Sequence, residues 1–144
     1  MNGRIAIALL NERQDGEIGD DWQYTLQVKV FNDGLADEGS IDVPEHRLPP
    51  GTDQAPPAPP EPLVLNAGAT GKTVLVRLRL DATEVDAMVD DHGTSSEDVS
   101  IHCPAPGEQP VSQDVTVAVG VMESPMIDGD SAVLKVTLRL VAES

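Results

Sequence analysis

Apolar and polar residues alternate with period two along most of this chain, which is the pattern of strands that bury one face. WQYTLQVKVF (22–31) is the clearest case. Trp22, Tyr24, Leu26, Val28 and Val30 share one face, and Gln23, Thr25, Gln27 and Lys29 share the other. Asn32-Asp33-Gly34 supplies turn chemistry directly afterwards. RIAIALL (4–10), KTVLVRLRL (72–80), DVSIHC (98–103), VSQDVTVAVGV (111–121) and AVLKVTLRLV (132–141) alternate in the same way, and a weaker strand is expected over Ser40–Val43. Asp81 and Glu84 stand at capping-box spacing, with Val85, Met88 and Val89 at helical spacing, so a short helix is predicted over 81–89.

Eight of the twelve prolines fall between Pro44 and Pro62. Proline lacks the N–H that a strand ladder needs, so this stretch is predicted to be an extended surface arm. Short strands separated by turn signals, with almost no helix, imply an all-β fold. The expectation is a single domain over residues 1–144: an antiparallel β-sandwich of about seven strands, one short helix and a long proline-rich connection over 44–62.

Composition narrows the picture. A chain of 144 residues with 40 % apolar content can bury roughly two thirds of its unfolded surface as one domain. Its three aromatics, Trp22, Tyr24 and Phe31, share one decapeptide, so the rest of the core must come mainly from Val and Leu. Twenty-five acidic against nine basic residues give a net charge of −16. That disfavours nucleic acid and anionic membrane surfaces as partners, since phosphate binding needs clustered cations. The strand-borne cations Arg4, Lys29, Arg77, Arg79, Lys135 and Arg139 suggest basic outer faces set among acidic loops. An acidic chain with three lysines would also suit a high-salt environment. Cys103 is the one cysteine, so no internal disulfide is expected. The six apolar residues before Asn11 are too few for a signal-peptide core, and no stretch reaches transmembrane length. A soluble chain without membrane insertion is therefore expected.

NAGATGKTVLV (66–76) contains a phosphate-loop fragment, GATGKT. The full motif requires a glycine five residues before Gly71, where Asn66 stands, and a helix where an alternating run begins at Thr73. A glycine turn entering a strand is the simpler account, so Lys72 and Thr73 are not assigned to a nucleotide. GDSAV (129–133) ends in Val133 where a nucleophile elbow needs glycine. His46, His92 and His102 have no spacing that links one of them to a serine or to Cys103, and neighbouring His102 and Cys103 must face opposite sides of a strand. One cysteine and three scattered histidines do not make a zinc set. No catalytic residue is assigned, and the chain is not expected to be an enzyme.

The remaining constellation is carboxylate. Hard cations such as calcium take six to eight oxygens, mostly from acidic side chains and carbonyls on loops. DGEIGDD (15–21) and DATEVDAMVDDHG (81–93) are dense enough, and Asp15, Asp20, Asp21, Asp81, Asp86, Asp90 and Asp91 are the candidate metal ligands. Around these residues the chain resembles the calcium- and lipid-binding sandwich domains of the protein-kinase-C type. DGEIGDDWQYTLQVKV is similar to that family's first calcium loop and following strand, with Asp15 and Asp21 at the family's separation of six. Gly19 and Tyr24 come one residue late, and Trp22 replaces a proline. VRLRLDATEVDAMVDDHG is similar to its later loop, with Asp81, Asp90 and Gly93 in place and Thr83 where a second Asp belongs. The resemblance implies calcium as the cofactor of these loops; nothing else in the chain asks for one.

Two functional expectations follow. The first is a non-enzymatic structural or interaction module, a homo- or hetero-oligomeric subunit of a larger assembly such as a virus particle or cell-surface array. It would contact neighbours through its strands and the Pro44–Pro62 arm. The second is a calcium-dependent binding domain, with the acidic loops at one end of the sandwich.

Overall fold

The computed structural model describes residues 2–16, 18–56, 60–86, 90–122 and 131–144. Eight strands occur among them: β1 (Asn2–Asp15), β2 (Asp21–Phe31), β3 (Leu35–Arg47), β4 (Leu63–Ala69), β5 (Lys72–Glu84), β6 (Asp91–Cys103), β7 (Val111–Met122) and β8 (Ser131–Glu143). They form two four-stranded sheets, ordered β4-β1-β8-β7 and β3-β2-β5-β6, and every pairing is antiparallel. The alternating residues of both sheets meet in one apolar core, in which Trp22, Leu26, Val28, Val30, Val76, Leu78, Leu80, Leu134 and Leu138 are fully buried. Cys103 joins this core while His102 faces solvent, as their adjacency on a strand requires.

Eight strands replace the expected seven, and no helix is present among the described residues. Asp81–Glu84 continues β5 instead of capping a helix: Ala82 and Glu84 keep the inward parity of Val74, Val76, Leu78 and Leu80. Val85 then hydrogen-bonds through its N–H to the Asp21 carbonyl at 2.7 Å. Met88 and Val89, the other members of the predicted helix, lie outside the described residues. The extra strand is β4, whose Asn66 and Gly68 dilute its apolar signal and which follows the proline run.

Several strands run further than alternation indicated, because bulges reset it. In β1 the register with β8 shifts between Leu9 and Asn11, so inward positions change from Ile5 and Ile7 to Glu12 and Gln14. In β3 three steps from Val43 to His46 oppose two from Tyr24 to Trp22. That bulge, on an edge strand, lets Pro44 stay in the sheet without breaking a ladder bond. Pro44–Arg47 therefore belongs to β3, and the proline-rich connection starts at Leu48. It does not swing free: Gly51 N–H donates to Gln14 O at 2.7 Å, and Glu12 and Gln54 exchange backbone bonds of 2.8 and 2.9 Å. The segment thus lies along the part of β1 that β4, paired with Asn2–Ile7, does not cover.

GATGKT is the passage from β4 in one sheet to β5 in the other. Gly68 (φ 75°) and Gly71 (φ 79°) adopt backbone conformations open mainly to glycine. Lys72 is ion-paired with Asp33 at 2.9 Å.

The outer faces are mixed in sign rather than basic. Each of the six cations expected on the outer faces has a strand-borne carboxylate partner: Arg4–Glu143, Lys29–Glu38, Arg77–Asp98, Arg79–Asp81, Lys135–Asp15 and Arg139–Asp114. Arg77–Asp98 and Arg139–Asp114 are direct cross-strand pairs with two hydrogen bonds each, and the guanidiniums hold both aspartates below the usual carboxylate range.

Candidate functional site

The described residues that lead out of β1 and into β2, out of β3, and out of β5 and into β6 meet at one end of the sandwich. There Leu48 N–H donates to Asp20 O at 2.5 Å, and Val85 N–H donates to Asp21 O. Trp22 pairs with Glu84 and Glu84 with Asp91, so β2, β5 and β6 all end at this point. Glu84 and Asp91 occupy inward positions at the strand ends, each about 3 % exposed, where alternation would place apolar side chains. Asp86, on the connection between them, is exposed. One ligand oxygen from each of Glu84, Asp86 and Asp91 lies within 4.8 Å of the others.

Burial is the first cause that pushes the Glu84 carboxyl up to about 7; the charges of Asp86 and Asp91, a hydrogen bond with Asp91 and the charge of Asp21 add to it. Its Oε2 is buried and has no hydrogen-bond partner among the described residues. Gly19 lies directly over this side chain: a Cβ there would stand 1.8 Å from Glu84 Oε1, so any other residue would require the carboxylate to shift.

The other candidate aspartates are dispersed. Asp15 sits between Arg13 at 2.7 Å and Lys135 at 2.6 Å, which hold its carboxyl below the usual range. Asp20 accepts from Arg47. Asp81 lies on the outer face of β5 and accepts from Thr94 and Arg79. Asp90 accepts the Asp86 backbone N–H at 3.0 Å and so shapes the connection. Asp21 contributes charge near Glu84. Gly93 is a strand residue whose missing Cβ admits the Gly120 carbonyl, bringing β6 against β7. Of the seven candidates the structure brings Asp86 and Asp91 together, with Asp21 beside them, and adds Glu84. Glu17, and Gly129 and Asp130 of GDSAV, lie outside the described residues.

A second polar group fills the interior nearby. Glu12, about 1 % exposed, accepts from Tyr24 Oη at 2.8 Å and is bonded to His46 Nε2; His46 Nδ1 contacts Pro44 O at 2.8 Å. Burial, then the Glu12 charge and hydrogen bond, raises the Tyr24 hydroxyl far above its ordinary value. Alternation alone gave no sign of Glu12 or His46 as inward residues, because each follows a bulge.

The class defined here is an eight-stranded antiparallel β-sandwich with a half-buried carboxylate cluster at one end. Comparison with protein-family models, curated proteins and solved structures returned no match. No helix among the described residues is long and apolar enough to cross a membrane.

Proposed function

We propose that this chain is a non-catalytic binding module whose loop end takes a calcium ion through Glu84, Asp86 and Asp91, with Asp21 adjacent. The observation that carries the proposal is Glu84: a buried carboxylate with an unpartnered oxygen, facing two further carboxylates. Acidic side chains on a protein of charge −16 are usually solvated; one inside the core rim lacks that explanation. An all-oxygen donor set suits a hard cation over zinc or copper, and a set shared between a strand end and a connection suits the adaptable geometry of calcium. The two segments that resemble the protein-kinase-C-type sandwich domains are neighbours at this end, joined by the Val85–Asp21 bond.

A metal that binds only the folded state raises its stability, by about 2.7 kcal/mol at a hundredfold excess over Kd. Thermal melting at pH 7.5 with millimolar calcium, against sodium chloride of matched ionic strength, tests this directly. The melting temperature rises with calcium, and Glu84→Gln and Asp91→Asn lose the rise. Equal responses to calcium and to the monovalent control would end the proposal.

A second reading keeps the chain as a contact module of a larger assembly. What favours it is the position of the large exposed apolar residues: Leu35 (53 %), Val64 (56 %) and Met122 (51 %) all lie on edge strands. Native mass spectrometry would then give oligomers that Val64→Lys and Met122→Lys disperse. A strict monomer at all concentrations, with no partner in its source, would remove this reading.

A further inference from the structure

We infer that cation binding at the Glu84 cluster controls how firmly the proline-rich segment 48–54 is held to the domain, with Gln14 as the positioning residue that links the two. The inference rests on the cation reading above and adds a regulated element to it.

The contacts form a continuous chain. Loop 18–21 has the carboxylate cluster on one side, where Gly19 lies over Glu84 and Asp21 O accepts from Val85 N–H. On its other side is the start of the proline-rich segment, where Leu48 N–H donates to Asp20 O. Gln14 joins the two from beneath. It is fully buried; its Nε2 donates to Gly19 O at 2.8 Å and to Leu48 O at 2.9 Å, and its Oε1 accepts from Ile18 N–H at 3.4 Å. Its own backbone carbonyl accepts from Gly51 N–H. One side chain thus fixes the roof of the acidic cluster and the anchor of the segment together.

The segment is suited to respond. Pro49, Pro50 and Pro56 have no N–H to give, so it cannot form a full ladder on β1. Its attachment to β1 is two isolated bridges, Glu12–Gln54 and Gln14–Pro50. Few backbone bonds place a segment toward the low-stability end of a fold. Without a cation, the like charges of Glu84, Asp86, Asp91 and Asp21 push against the loop that rests on them. A bound cation draws those oxygens inward, seats Gly19 and keeps the Gln14 bonds in place. Coupling between two such sites is typically a factor of 5 to 150, and it acts equally in both directions.

Hydrogen exchange read by mass spectrometry on the intact chain, with and without 1 mM calcium at constant ionic strength, tests the link. Exchange at Leu48, Gly51 and Gln54 is expected to slow by about tenfold with calcium. In Gln14→Met, which keeps the volume and removes both donors, calcium still raises the melting temperature but protection of 48–54 no longer responds. The outcomes separate the two claims. A calcium-dependent melting shift, with exchange slowed at 84–86 and 91 and unchanged at 48–54, overturns the link and leaves the cation reading standing. Unaltered coupling in Gln14→Met removes Gln14 from its role. No calcium response in melting or exchange removes both.

Discussion

Replacing Glu84 with glutamine separates the cost of this carboxylate from its use. The ordinary carboxyl value for Glu84 is 4.5, and burial among Asp86, Asp91 and Asp21 takes it to about 7. Between those values the native state retains a proton that the unfolded chain has released. Stability therefore falls as pH rises through this window, and it stays at the lower level above about 7. At about 1.4 kcal/mol per pH unit, the window corresponds to a loss of about 3 kcal/mol. Glutamine cannot ionise and has nearly the same shape, so Glu84→Gln escapes this loss. In a domain of this size, about 3 kcal/mol corresponds to roughly 10 °C in melting temperature.

The expected result is a pair of crossing comparisons. Without divalent cation, at pH 8, Glu84→Gln melts roughly 10 °C above the wild type; near pH 4.5, where both side chains are neutral, the two melt together. With calcium the order contracts or reverses, because the wild type gains ligand linkage and the variant has lost a ligand. Calorimetric melting over pH 4.5–8, with chelator and then with calcium, reads all of this. A variant less stable than the wild type at pH 8, or offset by the same amount at every pH, would refute the account of Glu84. A variant that keeps the full calcium shift would take Glu84 out of the site.

Three further outcomes follow from the packing. Tyr24→Phe leaves the buried Glu12 with one donor fewer and is expected to cost about 1–3 kcal/mol in urea unfolding; a neutral result would show that solvent reaches Glu12. Gly93→Ala places a Cβ 2.4 Å from Gly120 O and forces β6 from β7, so a loss of about 1–3 kcal/mol is expected, and unchanged stability would contradict this approach of the two strands. Magnesium–ATP leaves the melting curve unmoved, since GATGKT is a sheet-to-sheet turn with Lys72 engaged by Asp33; a shift abolished by Lys72→Ala would overturn that.

Alternation reported the fold well wherever it ran undisturbed. β2, β5, β7 and β8 were legible because Trp22–Val30, Val74–Leu80, Val117–Val121 and Ala132–Ala142 keep strict parity in an apolar face. It failed where a local device reset the count. The bulge after Leu9 moved β1's inward face onto Glu12 and Gln14, so a strand that continues to Asp15 looked finished at Leu10. The bulge at Pro44 did the same for β3, and β4 carries too few apolar residues to announce itself. The site was half visible for a related reason. Asp86 and Asp91 stand out as aspartates in a dense acidic segment, whereas Glu84 in the same segment also fits a helix-cap spacing and is not among the seven candidate ligands. Counting the β5 alternation four residues past Leu80 reaches Glu84, and counting β6 backward from Cys103 reaches Asp91, both on the inward parity.

That parity is what distinguishes these acids from the others in the chain. Most carboxylates among the described residues face water or a basic side chain and need no further explanation. Two groups face inward, and they are handled differently. Glu12 is met by partners from the fold itself, the Tyr24 hydroxyl and the His46 ring, so it is a satisfied element of the interior. Glu84 also faces inward, at the end of β5, but its surroundings are Asp86, Asp91 and Asp21, and its Oε2 has no hydrogen-bond partner among the described residues. A side chain that cannot ionise would avoid the penalty that the raised Glu84 carboxyl implies, about 3 kcal/mol at neutral pH. On the proposed reading, the charge that offsets this cost is a cation bound from solution, so the cost and the calcium response should disappear together in Glu84→Gln.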